Sequence, residues 1–243
     1  VFGEAKFGYK DKLFLTLTGR NDWISTLPKE NRSFFYPSVS LAYDVSDLFG
    51  ENDVFSFGKL RASWAEVGKG PGFGDVGQYF VVDGDFPFGG VGGYRRSTLL
   101  GDSEIKPERN QSTEFGADLR FLDSRIRLDY AYYNTRVKDQ IFTVGTAYSS
   151  GLSGITRNAG DYKVFGHELL LSADIIRNQD LRWELIFNWS TSEGEVLEIP
   201  EDIEAIIFAD SGFAGLTSEA RAGDKMGNLY GYKWVYENGE RYI

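Results

Sequence analysis

Polar and apolar residues alternate with a period of two along much of the chain, which is the pattern of a strand with two different faces. The clearest stretches are Leu13–Arg20, Ser112–Phe121, Ile126–Thr135, His167–Ile175 and Trp183–Thr191. The stretches at 35–44 and 55–66 follow the pattern less closely, and Leu170 interrupts it in the fourth stretch. We therefore predict eight or nine strands and an all-β fold. No stretch has a strong helical period, although Pro200–Phe208 is predicted to form a short helix.

The connections between these strands alternate between short and long. The short ones are Lys10–Lys12, Leu122–Ser124, Ile176–Arg182 and, less clearly, Val45–Val54. The long ones are about Asp22–Ser33, Val67–Arg109, Arg136–Asp161 and Ser192–Asn228. In an up-and-down sheet every second connection lies at the same end, so one end has the short connections and the other has the long ones. This favours an antiparallel transmembrane β-barrel with short periplasmic turns and long outer loops, while a soluble β-sandwich remains the alternative.

Composition agrees with a barrel. The chain has 243 residues, of which 42% are hydrophobic and 26% charged, and it has no apolar run long enough for a membrane helix. A barrel strand needs only about 10 residues with every second one apolar. Tyr and Trp near the strand ends would then form the interfacial girdles. Candidates are Trp23, Tyr43, Trp64, Tyr132 and Trp183.

The net charge and the scarcity of Cys and His argue against nucleic-acid binding, metal binding and several kinds of catalysis. The formal net charge of −10 argues against a nucleic-acid partner. Cysteine is absent and the single histidine, His167, lies on the apolar-facing set of its strand, so we predict no enzyme, no metal site and no cofactor. The glycine-rich run 68–74 lacks the Lys-Ser/Thr ending of a phosphate loop. Carboxylates are numerous, however, and sequence spacing does not decide whether two of them face each other as in a glycosidase.

The two ends predict a larger parent protein. Val1–Tyr9 already has the pattern of a strand, without a start methionine or a signal peptide. Near the other end, Asn238 and Gly239 lie between two short strand patterns, as in a two-residue β-hairpin. We therefore expect residues 1–243 to be one sector of a single barrel domain.

A series of short phrases resembles the barrel of SusC/RagA-type TonB-dependent transporters. The phrases occur in that family's order over nearly the whole chain. They are Arg32–Tyr43, Lys59–Gly68, Ile105–Glu108, Ser112–Asp118, Tyr132–Asn134 with Asp139–Ile141, Asn158–Gly160, Gly166–Leu169 and Leu229–Tyr232. In the seventh phrase, His167 stands where the family often has Ile.

The resemblance implies about eight or nine strands of a barrel of roughly 22 strands. It implies a location in the bacterial outer membrane and active import of a large nutrient, a glycan or a peptide. The expected partners are a SusD-like surface lipoprotein over the outer mouth, the TonB energy-coupling protein, the substrate and membrane lipid. The plug, the coupling segment and the C-terminal closing strands of the family are expected to lie outside this sequence. A soluble carbohydrate-binding module or a structural outer-membrane barrel without transport remains the alternative function.

The candidate substrate contacts lie in the longest glycine-rich connection. Aromatic faces stack on sugars and peptides, so the aromatic residues of this segment are the predicted binding residues or the contact with the lipoprotein lid. They are Tyr79, Phe80, Phe86, Phe88 and Tyr94.

Overall fold

The computed structural model describes residues 1–50, 52–88, 91–212, 215–237 and 240–242, with the backbone alone at 85–88, 148, 237 and 240–242. Strands dominate it. In chain order they are β1 (Phe2–Tyr9), β2 (Leu13–Trp23), β3 (Ser33–Asp44), β4 (Phe55–Lys69), β5 (Phe80–Phe88), β6 (Val91–Arg96), β7 (Leu99–Gly101), β8 (Glu108–Phe121), β9 (Ile126–Lys138), β10 (Ile141–Gly145), β11 (Gly154–Asn158), β12 (Asp161–Arg177), β13 (Arg182–Glu198), β14 (Ile206–Asp210), β15 (Leu216–Ala220), β16 (Asn228–Gly231), β17 (Val235–Glu237) and β18 (Glu240–Tyr242). Short 3-10 helices span Lys29–Asn31, Ser46–Phe49 and Tyr148–Ser150. No helix within the described residues is long and apolar enough to cross a membrane.

Eight long strands form one sheet, which we call the wall sheet. Its order is β1-β2-β3-β4-β8-β9-β12-β13, and every neighbouring pair is antiparallel. Each wall strand therefore pairs with the next wall strand along the chain. The predicted up-and-down topology and strand number are confirmed, and β3 and β4, whose sequences alternate less cleanly, are ordinary members of the sheet.

One face of the wall sheet, which we call the outward face, is an apolar belt. The register places Leu15, Leu41, Ala62 and Phe115 directly across from one another on four successive strands. Large side chains in this belt are exposed, with Phe115 at 55% and Leu185 at 52% of full exposure. An exposed belt of this kind suits lipid. A sandwich would bury such residues against a second sheet, so the soluble alternative fails.

Aromatic side chains border the belt at both ends. All five girdle candidates lie on the outward face: Trp23, Tyr43, Trp64, Tyr132 and Trp183. His167 is directly across from Tyr132, its ring centroid lies 5.1 Å from that of Tyr132, and its Nδ1 lies 2.8 Å from the Tyr130 hydroxyl. This histidine is thus an interfacial residue among tyrosines.

The short connections lie together at one end of the wall sheet, the inner end. Two of them turn through left-handed backbone conformations, with φ of 52° and 53° at Lys10 and Asp11 and of 51° to 61° across 122–124. The connection at 45–54 is longer because it holds the 3-10 helix at 46–49. The connections at 24–32, 70–107, 139–160 and 199–227 lie at the opposite, outer end. Short periplasmic turns and long outer loops are the arrangement of an outer-membrane barrel.

The outer connections are folded into small sheets. These are β10-β11-β7, β14-β15-β16 and the hairpin β5-β6, while β17 and β18 form a separate pair. The helix predicted at Pro200–Phe208 is wrong, because β14 starts at Ile206 and pairs with β15. The turn predicted at Asn238 and Gly239 lies outside the described residues.

Two buried apolar clusters stabilise the outer connections. One contains Ala159, Val196, Ile203, Ile206 and Ala220. The other contains Leu27, Phe34 and Ile105. Both clusters join residues from different connections, so the outer end is a packed structure rather than a set of independent loops.

Candidate functional site

The predicted aromatic segment contains the β5-β6 hairpin. Phe80 lies across from Arg96, and Val82 lies across from Tyr94. Directly opposed residues share a face, so these four side chains lie on one side of the hairpin. Phe80 is 72%, Val82 71% and Tyr94 74% exposed. Phe80 and Tyr94 are therefore brought together on an exposed face that we call the hairpin face.

The other three predicted residues behave differently. Tyr79 lies at the base of the hairpin, where its carbonyl oxygen accepts from the Ser97 N–H at 2.8 Å. Its ring lies close to Gly74, whose φ of 95° requires glycine. The backbone of Phe86 and Phe88 belongs to β5, and their side chains lie outside the described part of the chain.

Three of the short family-like phrases meet in one place, which we call the loop junction. The Asn158 amide donates to the carbonyl oxygens of Lys106 at 3.0 Å and Asp139 at 2.6 Å, and its own oxygen accepts from the Lys106 N–H at 2.8 Å. The Gln140 N–H donates to the Gly160 carbonyl at 3.0 Å. Residues 105–108, 139–141 and 158–160 are thus tied together although they are distant in sequence.

A buried carboxylate completes the loop junction. The Glu108 side chain is 5% exposed and lies at the outer end of β8. One of its oxygens accepts from the Ile141 N–H at 3.0 Å, and the other lies 3.2 Å from Lys69 Nζ. A buried carboxylate needs such partners, so this glutamate holds β4, β8 and β10 together.

A cleft opens between the connections at 139–160 and 199–227. It is lined in part by Thr143, Asp202, Glu204, Glu219 and Arg221 and has a volume of about 500 Å³. A second cleft of about 520 Å³ shares Glu219 and Arg221 with it. Volumes of this size are those of small-molecule pockets.

The polar groups of this cleft are fixed by one another. The Glu219 carboxylate accepts from the Thr217 hydroxyl at 2.6 Å and from Arg221 Nε at 2.9 Å, and these two contacts lower the pKa of Glu219. The Arg221 guanidinium lies 4.2 Å from the ring centroid of Tyr230. The Tyr230 hydroxyl donates to Asp224, which raises the pKa of that hydroxyl.

Sequence reasoning missed this cleft. A usable signal was present in Thr217, Glu219 and Arg221, since alternate residues of a strand share a face. Tyr232 borders the second cleft, is 96% exposed and belongs to the family-like phrase Leu229–Tyr232.

The lumen-facing side of the wall sheet is polar. Arg61 on β4 lies 2.8 Å from Asp129 on β9 and 3.4 Å from Glu114 on β8. The guanidinium crosses Gly116, where a Cβ atom would collide with it. Within the described residues, no group of three His, Asp or Glu side chains could hold a metal ion. Arg61, Asp129 and Glu114 supply fixed charges and hydrogen bonds to a wet interior.

Known proteins with the same pattern are outer-membrane receptors. A family model described as "TonB dependent receptor-like, beta-barrel" matches residues 1–236. TonB-dependent receptor P3 of Formosa agariphila is 27% identical over 98% of this chain and 25% of its own length. TonB-dependent receptor SusC of Bacteroides thetaiotaomicron is 25% identical, over 98% of this chain and 25% of its own length. The chain thus spans about a quarter of the length of the curated relatives it matches.

Solved structures have the same fold. The RagAB peptide importer in its closed-closed state superimposes with a TM-score of 0.78 at 21% identity, covering 91% of this chain and 24% of the matched one. The siderophore receptor PirA of Pseudomonas aeruginosa gives a TM-score of 0.52 at 16% identity, over 90% of this chain and 38% of that one. Together with the apolar outward face and the sorted connections, the family match over residues 1–236 settles the identification. The chain belongs to the TonB-dependent receptor-like β-barrels of the bacterial outer membrane.

Proposed function

We propose that this chain is one sector of the barrel wall, with its outer loops, in a transporter that imports a large nutrient across the outer membrane with TonB-coupled energy. The nutrient is a glycan or a peptide, and no bond in it is made or broken. The observation that carries this proposal is the hairpin face, which presents Phe80, Val82 and Tyr94 to solvent at the outer end. Related chains named as TonB-dependent receptors support the energy coupling.

The hairpin face contacts either the substrate or a SusD-like lipoprotein that covers the outer mouth. Tyr79 lies at its base, and Phe86 and Phe88 extend the same hairpin. Aromatic rings combine a large apolar area with few rotatable bonds, so they bind flat partners at a small entropic cost. The cleft beside Arg221 offers a second set of fixed polar groups at the same end.

The double variant Phe80→Ala/Tyr94→Ala of the complete transporter is expected to weaken uptake or substrate binding about tenfold. This assumes a loss on the order of 0.7 kcal/mol for each aromatic contact. The matched control is Phe73→Ala, because Phe73 is 93% exposed in the same connection but lies outside the hairpin. Substrate binding is measured by calorimetry and lid binding by co-purification.

The two readouts separate the roles of the hairpin face. Weaker substrate binding with normal lid co-purification assigns the face to the substrate, and the reverse assigns it to the lid. Unchanged values for both, with barrel assembly intact, would remove the hairpin from the proposed site. Loss of growth on the nutrient without TonB tests the energy coupling separately.

A further inference from the structure

Cationic residues occupy the outward face just beyond the apolar belt on three successive strands. Arg109 of β8 lies directly across from Lys138 of β9, and Arg136 of β9 lies directly across from Lys163 of β12. All four share the face of Phe115, Tyr132 and His167, because they are separated from those residues by even numbers of positions without a bulge. We call them the cation rungs.

Such pairs are unfavourable on their own. Directly opposed side chains have Cβ atoms about 4.5–5.5 Å apart, and like charges at that spacing destabilise a sheet. Two like-charged rungs in succession are therefore a feature that needs a compensating anion.

Nearby carboxylates compensate only part of this charge. Glu66 lies 3.0 Å from Arg109, Asp161 lies 2.9 Å from Arg136, and Glu195 lies 2.7 Å from Lys163. Glu193, the next carboxylate on β13, is taken by Lys225 at 3.0 Å. No ion pair of Lys138 occurs among the described residues. Four cations thus face three carboxylates. The cation without an ion pair among the described residues is Lys138, which lies in the rung farther from the belt.

Their height matches the headgroup layer of the bilayer. Arg136 and Lys163 are four residues beyond Tyr132 and His167, which border the belt. At about 3.3 Å per residue and a tilt of about 45°, four residues rise about 9 Å above that border. Lys and Arg side chains are long enough to bend back toward the interface.

From this geometry we infer that the cation rungs bind a phosphate of a lipid headgroup in the outer leaflet. The phosphate oxygens accept from Lys138 and from the free N–H groups of Arg109, Arg136 and Lys163. The acyl chains lie along the belt below, over Phe165, Tyr132 and His167. The site faces lipid, away from the hairpin face and the lumen, so it is independent of the proposed substrate site.

The test uses the complete transporter in detergent and the double variant Lys138→Gln/Lys163→Gln, which breaks one like-charge pair in each rung. The probes are purified lipid A, the same lipid A after enzymatic removal of its phosphates, and inorganic phosphate, each titrated and counted by native mass spectrometry. The variant is expected to bind phosphorylated lipid A about 30-fold more weakly, about fivefold for each cation removed. Binding of dephosphorylated lipid A should be unchanged.

A second readout separates a binding site from a structural role. The variant relieves two like-charge pairs but also removes the partly exposed Lys163–Glu195 ion pair, so without lipid it should melt at about the same temperature as the natural protein. Only the natural protein should gain thermal stability when lipid A is added. The control variant Arg20→Gln/Arg127→Gln removes two positive charges from the lumen face of the same sheet and should bind lipid A normally.

Three outcomes would overturn the inference. One is lipid A binding by the variant that equals that of the natural protein. Another is an equal loss of affinity for phosphorylated and dephosphorylated lipid, which would indicate damage to the belt. The third is saturation by inorganic phosphate at the same concentration as lipid A, which would make the site a free-phosphate site.

Discussion

An arginine at Leu171 is expected to lower the free energy of unfolding of the membrane-inserted barrel by about 2–4 kcal/mol. Leu171 lies in the middle of the belt, across from Leu128 on one side and Phe187 on the other. A charge at this depth has no polar partner on the lipid face. The loss is measured by denaturant titration of the complete protein in lipid vesicles.

The adjacent residue provides the control. Leu170 faces the lumen, where it lies across from Asp129 and Asn188. Leu170→Arg changes the same residue type to the same charge one position away, yet it is expected to alter stability by less than about 1 kcal/mol, since lumen positions are wet. Equal destabilisation by the two variants would show that the face assignment of β12 is incorrect.

The second large effect is expected at the loop junction. Asn158→Leu removes three hydrogen bonds and leaves the carbonyl oxygens of Lys106 and Asp139 and the N–H of Lys106 without their partner. A hydrogen bond of this kind contributes about 0.5–1.5 kcal/mol, and two of the three are exposed while the bond to Asp139 is partly buried. We expect about 2 kcal/mol of lost local stability at the outer end, with the wall sheet intact.

Hydrogen exchange resolves this change by region. Amides of residues 99–107 and 139–160 should exchange faster in Asn158→Leu, whereas those of β9 and β12 should keep their protection. Asn188→Leu is the matched control, because Asn188 is an exposed lumen residue of β13 outside the junction. Uniformly faster exchange throughout the wall would mean that the junction supports the barrel itself and not only its loops.

The wall sheet was predictable because a bilayer imposes a simple rule on each strand. Lipid on one side and water on the other give period-two alternation. Leu170 interrupts the alternation because it faces the lumen, where an apolar residue is tolerated. The strands at 35–44 and 55–66 were harder to recognise. Ser33 and Pro37 occupy outward positions in the outer half of β3, and the register of β4 shifts between Phe55 and Phe57.

The outer end was not predictable in the same way. Whether 206–210 forms a strand depends on its pairing with 216–220, and a local pattern does not contain that pairing. The loop junction depends on Asn158 reaching a segment some fifty residues earlier. The phrases that meet there were each visible in the sequence, but their contact was not. Of the predicted binding residues, Phe80 and Tyr94 share one face, whereas Tyr79 lies at the base of the hairpin.

Each wall strand pairs with the next wall strand along the chain, so the outer connections can change during evolution without a change in the wall sheet. β4 pairs with β8 whatever lies between them, and β9 pairs with β12 in the same way. Doubling the length of a flexible connection adds only about 0.6 kcal/mol to the entropy of closing it. Outer segments can therefore be lengthened, shortened or exchanged between relatives while the barrel keeps its register. Grafting residues 80–96, the β5-β6 hairpin, from a relative should transfer cargo preference, because it leaves Ile105 and Lys106 in their packed positions.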